Sequence, residues 1–198
     1  GLSAAIALQQ AGLSVLILEA RDTIGGGLRS AELTLPDFVH DICSAIHPLA
    51  AGSPFFSTIP LEKFGLEYIY PEFAAAHPFD DGTAAALRGG VEDTAETLGI
   101  DKETYRKLLN PLVNNWPGMV KHLLGPLHFP KHPIDMAAFG LNALRSATSL
   151  AGKFKSREAR GLWAGMAAHS LQPLSNLATS AFGLVLMAAG HIKGWPVA

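Results

Sequence analysis

Glu19, Gly25 and Gly26 are the residues of this 198-residue chain whose types and spacing could do recognisable chemistry. Glu19 ends the apolar run Leu16-Ile17-Leu18, and the glycine pair follows after a short polar stretch. A carboxylate at the tip of a buried strand hydrogen-bonds the ribose hydroxyls of a dinucleotide. The neighbouring diphosphate needs bare backbone N–H groups and a helix N-terminus, and only glycine lets the main chain approach that closely. Gly1 stands eighteen residues before Glu19, close to the roughly 20-residue offset between a G-x-G-x-x-G motif and its ribose acid. It falls where the third glycine would stand. The chain is therefore expected to start inside that motif and to be an N-terminal piece of a longer protein.

Positioning these groups requires a helix, a strand and a loop. Leu2, Ala5, Ile6 and Leu8 share a face of a helix over residues 2–11, which Gly12 stops. Residues 14–19 are apolar and partly β-branched, as a parallel strand covered on both faces would be. Residues 20–31 read as a glycine-rich loop, with a short strand at 32–35 and a turn at Pro36-Asp37. From 45 to 90 the pattern is broken, with extended segments expected at 66–70 and, after Asp81-Gly82, at 83–88. Residues 91–198 read as mainly helical. Asp93 or Thr94 could cap a short helix, and Asp101 with Thr104 could open a longer one through Leu108, Leu109 and Leu112. Further helices are expected at 134–152, 156–171 and 177–190. The fold class is α/β, with a boundary near residue 90 between a partial nucleotide-binding domain (1–90) and a mainly helical region (91–198).

Composition narrows the function. Hydrophobic residues make up 48% and charged residues 16%, which excludes a disordered chain. The net charge is −2 with no basic stripe, so nucleic acid is not an expected partner. Cys43, the single cysteine, excludes an intrachain disulfide and fits a reducing compartment, so a cytoplasmic location is expected. The longest apolar run, 178–189, is too short to span a bilayer. It leaves peripheral membrane contact open, as does the low charge of the helical region.

The run Glu19-Ala20-Arg21 followed by Gly25-Gly26 and Arg29-Ser30 resembles the second FAD signature of the GG-doublet flavoproteins. That superfamily includes amine oxidases, protoporphyrinogen oxidases and carotenoid desaturases. Leu33-Thr34-Leu35-Pro36, His40 to Ala45, Ala167 to Ser170 and Gly190 to Val197 are most similar to its phytoene dehydrogenase-like branch. The resemblance implies FAD as cofactor and a Rossmann-like flavin domain whose first strand is missing here, joined to a helical substrate or cap region. It implies that Glu19 holds the adenosine ribose, that Gly25 and Gly26 pass close to the pyrophosphate with Arg21, Arg29 and Ser30 nearby, and that Gly1 packs the first helix on the sheet. Gly27 stands where many such enzymes carry arginine. The reaction implied is hydride removal from an apolar, isoprenoid or carotenoid-like small molecule, forming a double bond. An amine-oxidase-like flavoprotein and a non-enzymatic prenyl-protein escort of the GDP dissociation inhibitor type are the alternatives. No catalytic residue is assigned, and the oligomeric state is left open.

Other polar residues carry weaker signals. His40, Asp41 and Ser44 follow the glycine loop closely enough to approach a flavin ring in such a family, although an Asp there is as often a turn residue. Cys43, between Ile42 and Ser44, reads as a small buried hydrophobe rather than a nucleophile. His122, His128 and His132 lack a completing carboxylate or thiol at ligand spacing, so no metal is expected. His169 reads as a satisfied, partly buried histidine.

Overall fold

The computed structural model describes residues 1–126 and 129–198, which form two compact units, 1–46 and 47–198. In the first unit, α1 spans Leu2–Gln10, and β1 (Ser30–Glu32) pairs antiparallel with β2 (Val39–Asp41). The register sets Ser30 opposite Asp41 and Ala31 opposite His40. None of residues 1–46 is buried.

The expected strand over 14–19 is not formed. A strand exists only through the ladder that pairs it, and no described strand pairs with this segment. Nor is it covered on both faces, since Leu16 and Leu18 are 83% and 85% exposed. What the sequence does achieve here is a helix that reverses. Gly12, with φ of +81°, turns the chain so that Leu13, Val15 and Ile17 line a shallow cleft with Leu2 and Ile6 of α1. The strand expected at 32–35 lies earlier, at Ser30–Glu32, because the turn at Leu35–Phe38 takes up the following residues.

The second unit holds the core. A short helix α2 (Pro48–Ala51) leads to the hairpin β3 (Phe73–Pro78) and β4 (Ala84–Arg88), closed around Asp81-Gly82. β3 has no counterpart among the expected strands, since its alanines and proline argue weakly for one. The extended stretch expected at 66–70 is a single antiparallel bridge between Ile69 and Val197. Among the described residues six α-helices follow: α3 (Val91–Ala95), α4 (Lys102–Leu123), α5 (Pro133–Ala143), α6 (Ala147–Ala151), α7 (Arg157–Ala168) and α8 (Thr179–Lys193). The composition change near residue 90 falls inside this unit, between β4 and α3.

Spacing explains the long helix. Tyr105, Leu108, Leu109, Leu112, Trp116, Met119 and Val120 recur every three or four residues along α4, and all are buried. The hairpin packs against α7 where Gly161 and Gly165 lie one turn apart. A Cβ at Gly161 would sit 2.7 Å from the Phe79 ring, and one at Gly165 would collide with the His77 imidazole. Polar groups pin the helices. Asp101 is fully buried and accepts from the backbone N–H groups of Lys155 (2.9 Å) and Ser156 (2.6 Å). Burial alone would raise its pKa, but these hydrogen bonds outweigh that cost and hold the carboxyl below the usual range. The expected cap at Asp93 or Thr94 is replaced by Gly90, whose N–H donates to Asp93 Oδ2 at 2.8 Å. Thr94 is buried instead and exchanges hydrogen bonds with Arg88. Among the described residues no helix is long and apolar enough to cross a membrane.

Candidate functional site

In the first unit Glu19, Arg21, Gly25, Gly26 and Arg29 lie along one loop, with Gly1 ahead of α1 and Ser30 opening β1. Gly1 precedes α1 and accepts the N–H of Ala5 at 3.0 Å, the first turn of the helix. Glu19 is exposed, and its Oε1 accepts the backbone N–H of Arg21 at 2.9 Å. The acid is therefore oriented by its own turn.

The glycine pair has the geometry that only glycine tolerates cheaply. Gly25 has φ of +114° and Gly26 of +56°. A Cβ at Gly25 would meet the Arg29 side chain at 3.0 Å, whereas one at Gly26 would meet nothing within 4 Å. The Arg29 guanidinium folds back, donating from Nε to the Gly26 carbonyl at 2.9 Å. One side of Gly25 is thus closed by Arg29, and the backbone of Gly26 lies open. A diphosphate needs that combination of uncovered main chain and adjacent cation, so the residues fit a dinucleotide.

The hairpin behind the loop braces it. Ser44 N–H donates to the Gly27 carbonyl at 2.8 Å, and Ile42 N–H to the Arg29 carbonyl at 2.9 Å. Ser30 donates its hydroxyl to Asp41 Oδ1 at 2.6 Å, and Thr34 pairs with His40 Nε2 at 2.8 Å. These two side-chain pairs join positions eleven and six residues apart, which only the strand register makes visible. Asp41 and His40 therefore serve the hairpin. The structure brings together Gly25, Gly26 and Arg29, and separately Ser30 with Asp41. Among the described residues, no hydrogen bond or ion pair joins Glu19 to Gly1 or to the glycine pair.

Two further expectations change. Cys43 is exposed rather than buried, because the unit encloses no interior for it to enter. His169 is exposed as well, though its Nδ1 lies 3.2 Å from the Met166 carbonyl and its ring stands edge-on to Trp195. Among the described residues no group of three or more His, Cys, Asp or Glu side chains is placed to hold a metal. His128 lies outside the described residues.

The family model of the flavin-containing amine oxidoreductases matches residues 1–195. The chain belongs to that family. FAD is the family's cofactor, and the open glycine loop is the feature of this chain suited to it. One of the subunits of limonene dehydrogenase from Castellaniella defragrans is 32% identical over 112 residues, which cover 54% of this chain and 20% of that protein. The chain thus matches this relative over about one-fifth of the relative's length.

Proposed function

We propose that the whole protein is an FAD-dependent dehydrogenase of small isoprenoid hydrocarbons, allied to the phytoene dehydrogenase-like branch. The observation that carries the cofactor half of this reading is the left-handed Gly25-Gly26 pair with open space over Gly26. The substrate half rests on the relative named for limonene, an unfunctionalised monoterpene. When bound, FAD would supply the two-electron oxidising capacity that forming a C=C bond in a hydrocarbon requires.

The chain's own residues bind and orient. Glu19 accepts from the ribose hydroxyls, and its existing bond to the Arg21 N–H fixes which way the carboxylate faces. Gly25 and Gly26 present main chain to the pyrophosphate, with Arg29 held beside them by the Gly26 carbonyl. Arg21 and Arg29 offset the phosphate charge, Ser30 sets the base of the loop through Asp41, and Gly1 opens α1. An apolar substrate partitions into lipid, so the reading includes a cytoplasmic enzyme touching the membrane surface.

The test is anaerobic bleaching of the flavin absorbance of the purified full-length protein. Limonene and acyclic isoprenoids should bleach it, and primary amines should not. Bleaching by amines alone would move the protein to the amine-oxidising branch. A full-length protein that retains no flavin would overturn the enzymatic reading in favour of a prenyl-protein escort. Glu19→Ala removes charge-assisted hydrogen bonds worth about 1.5–3 kcal/mol each, so flavin retention should fall by roughly tenfold or more.

A further inference from the structure

Between α4, α5 and α8 lies a cavity of about 130 Å³ that the flavin loop does not use. Its floor is made by Leu108, Leu112, Met119, Phe139 and Leu184, all buried core residues. Cavities of about 150 Å³ lined by aliphatic and aromatic side chains hold a benzene-sized molecule, so this floor matches an apolar body about the size of a six-carbon ring.

The mouth is polar and of mixed sign. Lys107 and Asp135 bring one cation and one anion to it, and Asn115 adds an amide. Pro111 lines the same cavity and has no N–H to return to the Lys107 carbonyl one turn earlier. Asn142, also at the mouth, already accepts from Lys153 Nζ at 3.2 Å. A ligand head here meets donors and acceptors together. A carboxylate would face Asp135 and an ammonium would face Lys107, whereas a hydroxyl both donates and accepts.

We propose that this apolar cavity, capped by Lys107, Asp135 and Asn115, binds a small neutral alcohol or phenol. The hydrocarbon part fills the space over Leu112 and Phe139, and the hydroxyl stays at the mouth. This site stands independently of the flavin reading.

Isothermal titration of the intact protein with cyclohexanol and phenol tests it, with benzoate and benzylammonium as charged counterparts. Ala138 is exposed on α5 and lines the cavity, so Ala138→Phe obstructs the cavity from an exposed position without replacing a core residue. A second variant, Asn115→Leu, removes one polar group from the mouth. The expected result is saturable one-to-one binding of both alcohols, at least tenfold tighter than the charged pair. Binding should weaken at least tenfold in Ala138→Phe and severalfold in Asn115→Leu, with the circular dichroism of both variants unchanged. Flavin-loaded and flavin-stripped protein should bind alike. Absence of saturable binding, equal affinity in Ala138→Phe, or equally tight binding of benzoate or benzylammonium would overturn the assignment.

Discussion

Residues 1–46 and 47–198 solve the folding problem in opposite ways. The first unit contains no buried residue and is held by a helix turn, a three-residue ladder and short-range hydrogen bonds. The second encloses Trp163, Tyr105, Phe154 and a set of leucines at no more than 1% exposure, and pins its helices with buried polar groups. Burial of apolar area at about 25 cal/mol per Å² is the dominant favourable term in folding, so stability is concentrated in the second unit. The first devotes its residues to an accessible backbone instead. A loop that receives a diphosphate, as proposed above, could not also bury itself.

Truncating the centre of the helical core should show the contrast most sharply. Trp163 is 1% exposed, packs on Gly183 and donates its indole N–H to the Ala147 carbonyl at 2.9 Å. Trp163→Ala should cost about 3–5 kcal/mol in urea unfolding. Leu18→Ala, at a position 85% exposed, should change stability by less than about 0.5 kcal/mol. Comparable losses from the two substitutions would break the division of labour.

Asp101→Ala should come next. It leaves the N–H groups of Lys155 and Ser156 without their acceptor, at about 1–3 kcal/mol for each buried group. The Asp101 carboxyl is held below its ordinary 3.8 in the folded protein. Its contribution is therefore complete above about pH 4 and is lost as pH falls through the folded value. Unfolding measured between about pH 2 and 6 should show wild type and variant converging at the acid end.

A smaller effect lies at the contact of α4 with α8. Tyr105 Oη and His191 Nε2 are 2.6 Å apart, and His191 Nδ1 is 2.9 Å from the Gly89 carbonyl. A carbonyl only accepts, so Nδ1 donates to it and Nε2 accepts from the tyrosine. Tyr105→Phe should cost about 1–2 kcal/mol by leaving that nitrogen without a donor. Burial pushes the His191 imidazole below 6.5, against the opposing pull of Gly89 and Asp93. The unfolded chain then binds more protons than the folded one just below that pH. Stability is full above about pH 6.5 and declines as pH falls toward the folded value. His191→Gln should flatten that part of the profile.

Legibility in the sequence divides along the same line. The apolar spacing of α4, the helices α7 and α8 and the stop of α1 at Gly12 are readable because they depend on neighbours three or four residues apart, whereas the single helix expected over 134–152 breaks into α5 and α6 where Ser146 caps a new helix by accepting from the Ser149 N–H. The strand expected at 14–19 fails because its apolar run describes what the residues could bury, whereas a strand also needs a partner. Asp101 looks like a helix opener, yet its carboxylate serves backbone donors 54 residues later, and no local pattern signals that. In the candidate site, the glycine pair is legible by residue type. The contact of Arg29 with Gly26 is not, since it depends on the backbone dihedrals of the loop.

The least destabilising change should have the most local consequence. Gly26 has φ of +56°, and a Cβ there would meet no atom within 4 Å. Gly26→Ala therefore introduces no clash with the protein, only the cost of holding an L-residue in the left-handed region, about 1 kcal/mol. Since the loop lies outside the buried core, the main unfolding transition should move by no more than that. The added methyl nevertheless occupies the face proposed for the pyrophosphate. Flavin retention of the full-length protein, followed by absorbance after exhaustive dialysis, should drop by roughly tenfold or more, which is at least about 1.4 kcal/mol. The two measurements must separate for the comparison to hold. A variant that keeps its flavin would remove Gly26 from the cofactor path, and one that loses flavin and core stability together would show that the loop is structural rather than kept open for a ligand.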